Sequence, residues 1–141
     1  MHRDFIESEM RKNSFYRLLA AASFVVVMAS AMPGDEVISK ENGQTVINTT
    51  SLTSDVKGYL SNTPLKIYIS GNKIQKIEAL PNKETPKYFF KVKKQLLNQW
   101  DGMTVSKAVK AEVDGVTGAT MSSDAVKTNV KRGLEYFKKH K

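Results

Sequence analysis

The stretch "LKIYISGNKIQKIEAL", residues 65–80, decides how the chain folds. Leu65, Ile67 and Ile69 alternate with Lys66 and Tyr68, the two-residue period of a strand with one buried face. Gly71 and Asn72 then interrupt the run with residue types that favour a tight reversal. A second segment follows from Lys73 to Leu80, carrying β-branched Ile74 and Ile77, and Pro81 with Asn82 ends it. The reading is a hairpin. A hairpin alone cannot cover its own apolar face, so other elements must pack on it.

Downstream the period changes. In "ETPKYFFKVKKQLLNQW", residues 84–100, Pro86 suits the first turn of a helix that Glu84 or Thr85 would start, and Phe89, Val92, Leu96 and Trp100 recur at three- to four-residue spacing. "TVSKAVKAEV" is a second, short helical candidate after Asp101 and Gly102, with Val105, Ala108 and Val109 on one side. The last segment has the clearest helical pattern. Val126, Val130, Leu134 and Phe137 form one stripe, Lys127, Lys131, Arg132 and Lys138 lie off it, and Ser122 or Ser123 is placed to cap its start. The order predicts an α+β fold of one domain, a small antiparallel sheet packed against two to three helices.

Upstream, residues 32–54 are rich in Ser, Thr, Asn and Gly and read as a polar linker or loosely attached edge, with a candidate short strand at residues 45–48. Residues 1–31 hold basic Arg11, Lys12 and Arg17, the apolar run "LLAAASFVVVMASAM" and small residues at Ala29, Ser30 and Ala31. That is the pattern of a signal peptide cleaved after Ala31. The apolar run is shorter than the roughly 20 residues that span a bilayer, though Phe15 and Tyr16 would lengthen it into a membrane anchor. Acidic residues in the long lead-in leave Met10 as a second candidate start. Both readings place the organised domain, residues 55–141, on the extracytoplasmic side, in the periplasm or at the outer face of the membrane.

Composition narrows the chemistry. The 141 residues are 40 % hydrophobic and 26 % charged, which suits a globular domain, and they include no cysteine. Disulfides, thiolate metal sites and cysteine-held clusters are thereby excluded. Removing residues 1–31 takes four basic and three acidic side chains from the 22 and 14 of the whole chain, leaving a net charge of +7. A basic surface favours anionic partners, but the lysines are spread over strands and helices, so nucleic acid is not the expected partner.

"DGVTGATMSS", residues 114–123, precedes the long helix. Read locally it is a glycine turn and a serine cap. Read as a binding loop it places Gly118 and small Ala119 where backbone N–H groups and the positive end of a helix favour a phosphate. No lysine follows in the arrangement of a nucleotide-hydrolysing P-loop.

"DGVTGAT", Asp114 to Thr120, resembles the D-x-x-[ST]-G-A-T signature of the FMN-binding domain family, which includes flavin-carrying subunits of sodium-translocating NADH:quinone reductase and of Rnf-type complexes. "ETP" at residues 84–86 and "VKGY" at 56–59 resemble two further family elements. The resemblance implies FMN joined through its phosphate to Thr120, with Thr117, Gly118 and Ala119 around the phosphate and Asp114 at the acidic position needed by the attaching enzyme. Glu84, Thr85 and Pro86 would form part of the flavin pocket. Many relatives continue "ETP" with Gly-Leu-Gly, whereas this chain continues with Lys87, Tyr88 and Phe89.

A threonine hydroxyl is a weak nucleophile that needs a base or a metal. The two histidines, His2 and His140, lie far from Thr120 in sequence. The expected partner is therefore a separate flavin transferase that takes FMN from FAD with Mg²⁺, as the resemblance implies. Tyr88, Phe89, Phe90 and Trp100 are candidates to stack on the flavin; helical spacing assigns Phe89 and Trp100 to the core and leaves Tyr88 for the pocket. The functional expectation is an extracytoplasmic electron carrier that serves redox donor and acceptor proteins or a membrane electron-transport complex, with no catalytic residue and no metal site of its own. The alternative is a module that binds FMN or another anion noncovalently.

Overall fold

A computed structural model describes residues 36–141, so the leader and its cleavage pattern lie outside the described residues. Strands β1 (Ile38–Glu41), β2 (Gln44–Asn48), β3 (Leu65–Ser70) and β4 (Lys73–Ala79) form one antiparallel sheet in chain order. Helices α1 (Pro86–Gln95), α2 (Val105–Lys110) and α3 (Thr120–His140) complete a small α+β domain, with a 3₁₀ turn at Leu97–Trp100.

The hairpin at residues 65–80 forms with a refinement that alternation does not contain. Ile74 and Ile77 are three residues apart, so a regular strand would point them to opposite faces. Tyr68 pairs with Lys76 while Ile69 pairs with Ile74, which leaves Gln75 as the extra residue of a bulge. Both isoleucines are buried in the core as a result.

The segment read as a polar linker corrects that expectation, while its candidate short strand at residues 45–48 is present as β2. Residues 38–48 supply two strands, and β2 lies inside the sheet between β1 and β3 with Val46 and Ile47 buried. Two adjacent apolar residues in a polar stretch carry too little periodicity to announce an interior strand; pairing with β3 stabilises it. The folded unit thus begins upstream of Asp55.

Helix α3 crosses β2 and β3 and buries the expected stripe of Val126, Val130, Leu134 and Phe137. Gly133 is the point of closest approach. A Cβ built there would stand 2.8 Å from Ile67 Cδ1 and 3.0 Å from Thr49 Cγ2. Gly133→Ala is expected to lose about 1–2 kcal/mol in urea unfolding, because overpacking outweighs the roughly 1 kcal/mol gained in helix propensity.

One turn earlier, Asn129 joins the helix to the long β2–β3 connection. Its Oδ1 accepts from Thr49 Oγ1 at 2.5 Å and Thr53 Oγ1 at 2.6 Å. Its Nδ2 donates to Thr63 Oγ1 at 3.3 Å and the Ala125 carbonyl at 3.0 Å. All four side chains are buried, so each hydroxyl depends on this amide or on nearby backbone. Asn129→Ala is expected to cost about 2–4 kcal/mol in the same unfolding measurement, since it strands several buried polar groups at once.

Candidate functional site

The site is built where α3 begins. Gly118 has φ +86 with open space around it, so the chain turns there through a conformation that glycine adopts without strain. The Ala119 N–H donates to the Val116 carbonyl at 2.9 Å, closing the turn, and the first bond of the helix runs from the Ser123 N–H to the Ala119 carbonyl at 2.9 Å. The N–H groups of Thr120, Met121 and Ser122 consequently have no backbone acceptor among the described residues.

The serines do not cap this helix as the sequence suggested. Ala119 holds the N-cap position without a side-chain bond, and Ser122 and Ser123 lie inside the first turn, both buried. Ser123 Oγ accepts from the Val116 N–H at 3.1 Å and so braces the turn. Ser122 Oγ donates to Glu84 Oε1. The hydroxyls brace tertiary contacts, and the helix start keeps its free donors.

Glu84 is the second component. Its carboxylate accepts from the Tyr59 N–H at 2.9 Å, the Leu60 N–H at 2.7 Å and the Ser61 N–H at 2.6 Å, while its own N–H donates to Asn82 Oδ1 at 2.9 Å. Burial by itself would push this carboxyl up. The bonds from Ser122 and the three N–H groups outweigh burial and hold it below the ordinary value, so it stays ionised. A Cβ on Gly58 would come 2.8 Å from Glu84 Oε1 and 3.2 Å from Ser122 Cα, which is why the tight passage of the 58–61 loop carries a glycine.

These contacts enclose a cavity of about 370 Å³, within the range of roughly 300–1,000 Å³ typical of small-ligand sites. Gly118, Ala119, Thr120, Met121 and Ser122 line it from the start of α3; Glu84, Thr85 and Tyr88 line it from the start of α1; Tyr59 closes one side. Of the residues expected from sequence, Thr120, Gly118, Ala119, Glu84, Thr85 and Tyr88 meet here. Three others do not line it. Thr117 is exposed at the turn, Pro86 faces a neighbouring hollow with Phe89 and Phe90, and Asp114 is exposed, its backbone bonded to the Gln99 amide at 2.9 and 3.0 Å.

Sequence reasoning missed Met121 and the bracing role of Ser122. Tyr59 had a signal, since it ends the "VKGY" element. Phe89 and Trp100 are core residues, as helical spacing required.

The cavity lining joins two kinds of chemistry. The start of α3 presents N–H donors, the positive end of a 21-residue helix and an exposed threonine, a setting for a phosphate. Tyr59, Tyr88 and the Met121 side chain add flat or flexible apolar surface, a setting for a planar ring. The Glu84 charge is spent on inward hydrogen bonds, which lessens its conflict with an anion nearby. No helix among the described residues is long and apolar enough to cross a membrane. A family model described as FMN-binding domain matches residues 58–135. No curated protein and no solved structure matches the chain.

Proposed function

The chain belongs to the FMN-binding domain family, and from that premise we propose that FMN is joined through its phosphate to Thr120 and that the domain works as an extracytoplasmic electron carrier. FMN is its cofactor, and when bound it supplies one- and two-electron redox chemistry. The observation that carries the proposal is the position of Thr120. Its side chain is exposed on the cavity lining, in the turn of α3 whose N–H groups await an acceptor.

The residues of the chain then divide the work. The N–H groups of residues 120–122 would hold the phosphate, Gly118 and Ala119 would allow it close approach, and Tyr88 and Tyr59 would contact the ring. Glu84 positions all three segments without touching the reacting hydroxyl. No histidine among the described residues lies beside Thr120 to activate it, so a separate flavin transferase with Mg²⁺ would make the bond: the Thr120 hydroxyl gives up its proton to the transferase and attacks the FMN phosphorus of FAD, and the pyrophosphate bond breaks with AMP as the leaving group. The leader supports export, and donor and acceptor are proteins or a membrane complex on that side.

Intact-mass measurement on protein coexpressed with such a transferase tests this. The expected result is an increase equal to FMN less water, with yellow colour and fluorescence that survive denaturation. Flavin that departs on denaturation would make the domain a noncovalent FMN module and overturn the linkage.

A further inference from the structure

The exposed large apolar side chains of the described residues gather in one region. Tyr59, Tyr88 and Met121 edge the cavity, Leu60 follows Tyr59, and Phe90 lines the adjoining hollow that shares Glu84. A strip of positive charge runs beside them. Lys87, Lys91 and Lys94 recur along α1 on the side opposite buried Phe89 and Val92. Residues 83–94 hold five lysines and one carboxylate, and that carboxylate, Glu84, is turned inward. The Lys87 ammonium lies 5.6 Å from the Tyr88 ring centre and that of Lys94 lies 5.7 Å from the Phe90 ring centre, so charge and aromatic surface form one face.

An apolar centre beside a rim of one charge has a defined complement: the rim steers encounter, and the centre excludes water once contact is made. We infer that this face docks an acidic redox protein whose own redox group sits in an apolar patch bordered by carboxylates, with Lys87, Lys91 and Lys94 steering it. The redox character of the partner rests on the flavin reading of the cavity. A lipid surface would also attract lysines and aromatics, but lying on it would bury the cavity mouth away from any electron-exchange partner. The face therefore fits a protein better than a membrane.

The test uses the full chain with its flavin content measured first, and a labelled plant-type [2Fe–2S] ferredoxin, an acidic carrier, as the probe. Fluorescence anisotropy is expected to report binding at ~0.01 M ionic strength that is lost at ~1 M. The triple variant Lys87→Gln, Lys91→Gln, Lys94→Gln is expected to bind about tenfold more weakly or worse. A second triple, Lys138→Gln, Lys139→Gln, Lys141→Gln, makes the same change in net charge at the far end of α3, where Lys138 lies about 27 Å from Thr120 by helix rise. With the two triples compared at ~0.1 M ionic strength, where the Debye length is about 10 Å, it is expected to stay within about twofold of the native protein. Equal losses in both triples would reduce the effect to net charge and overturn the proposal, as would absence of binding at low salt. Binding to phosphatidylserine vesicles in place of ferredoxin would also overturn it and assign the face to a membrane. Anisotropy reads contact and not electron transfer, so a chain coexpressed with the transferase, found without flavin and still binding through α1, would refute the flavin reading and leave the docking face standing.

Discussion

Alanine at position 120 is expected to leave a folded protein with no covalently held flavin. Thr120 is exposed, makes no capping bond and begins a helix in which alanine is the more favourable residue, so unfolding stability should be unchanged or slightly raised. The hydroxyl oxygen, however, is the only group of that side chain able to form a phosphoester. Coexpressed with the transferase, Thr120→Ala should show the mass of the bare chain and no in-gel fluorescence. Thr120→Ser keeps a hydroxyl on the same turn and should recover at least part of the label. Thr117→Ala should retain it, because Thr117 stands outside the cavity lining. Label that persists in Thr120→Ala would place the attachment elsewhere.

The second large effect is expected at Glu84, in both stability and flavin retention. Glu84→Ala removes the acceptor shared by the Tyr59, Leu60 and Ser61 N–H groups and by Ser122, and should cost about 2–4 kcal/mol in chemical denaturation. Glu84→Gln is informative because it keeps size and shape but turns an NH₂ donor toward groups that are themselves donors. It should lose more than half of what alanine loses.

The sign of the pH dependence follows from the depressed carboxyl. Its folded value lies below the ordinary 4.5, so the native state favours the ionised form; the stabilisation is fully present above that ordinary value and is lost as pH falls through the folded one. The gap between native protein and Glu84→Gln should therefore be widest near neutrality and narrow in acid below about 4.5. A gap independent of pH would mean that the charge contributes nothing. Flavin incorporation should fall in both variants, since the 58–61 loop and the start of α3 lose their common tie.

Much of the architecture was legible in short-range spacing. The alternation of Leu65, Ile67 and Ile69 and the turn at Gly71 and Asn72 specify the hairpin, and the stripe from Val126 to Phe137 specifies the long helix and its buried face. "DGVTGAT" was legible as a ligand loop through its likeness to a family, where local chemistry alone read a turn and a cap. In residues 38–48 the short run at 45–48 was legible as a candidate strand, whereas β1 and the place of β2 inside the sheet were not, because pairing of β1 with β2 and of β2 with β3, not their own pattern, determines them.

By itself, then, the sequence determined the helices, the hairpin, the glycine turn and the threonine that follows it, since each depends on residues within a few positions of one another. Tertiary structure decided the rest. Gln75 bulges because Ile74 and Ile77 must both enter one core, and Ser122 turns from cap to brace because Glu84, 38 residues away in the chain, lies beside it. Such contacts are set by how helices and sheet pack, through burial and hydrogen-bond satisfaction at a distance, and no local pattern records them.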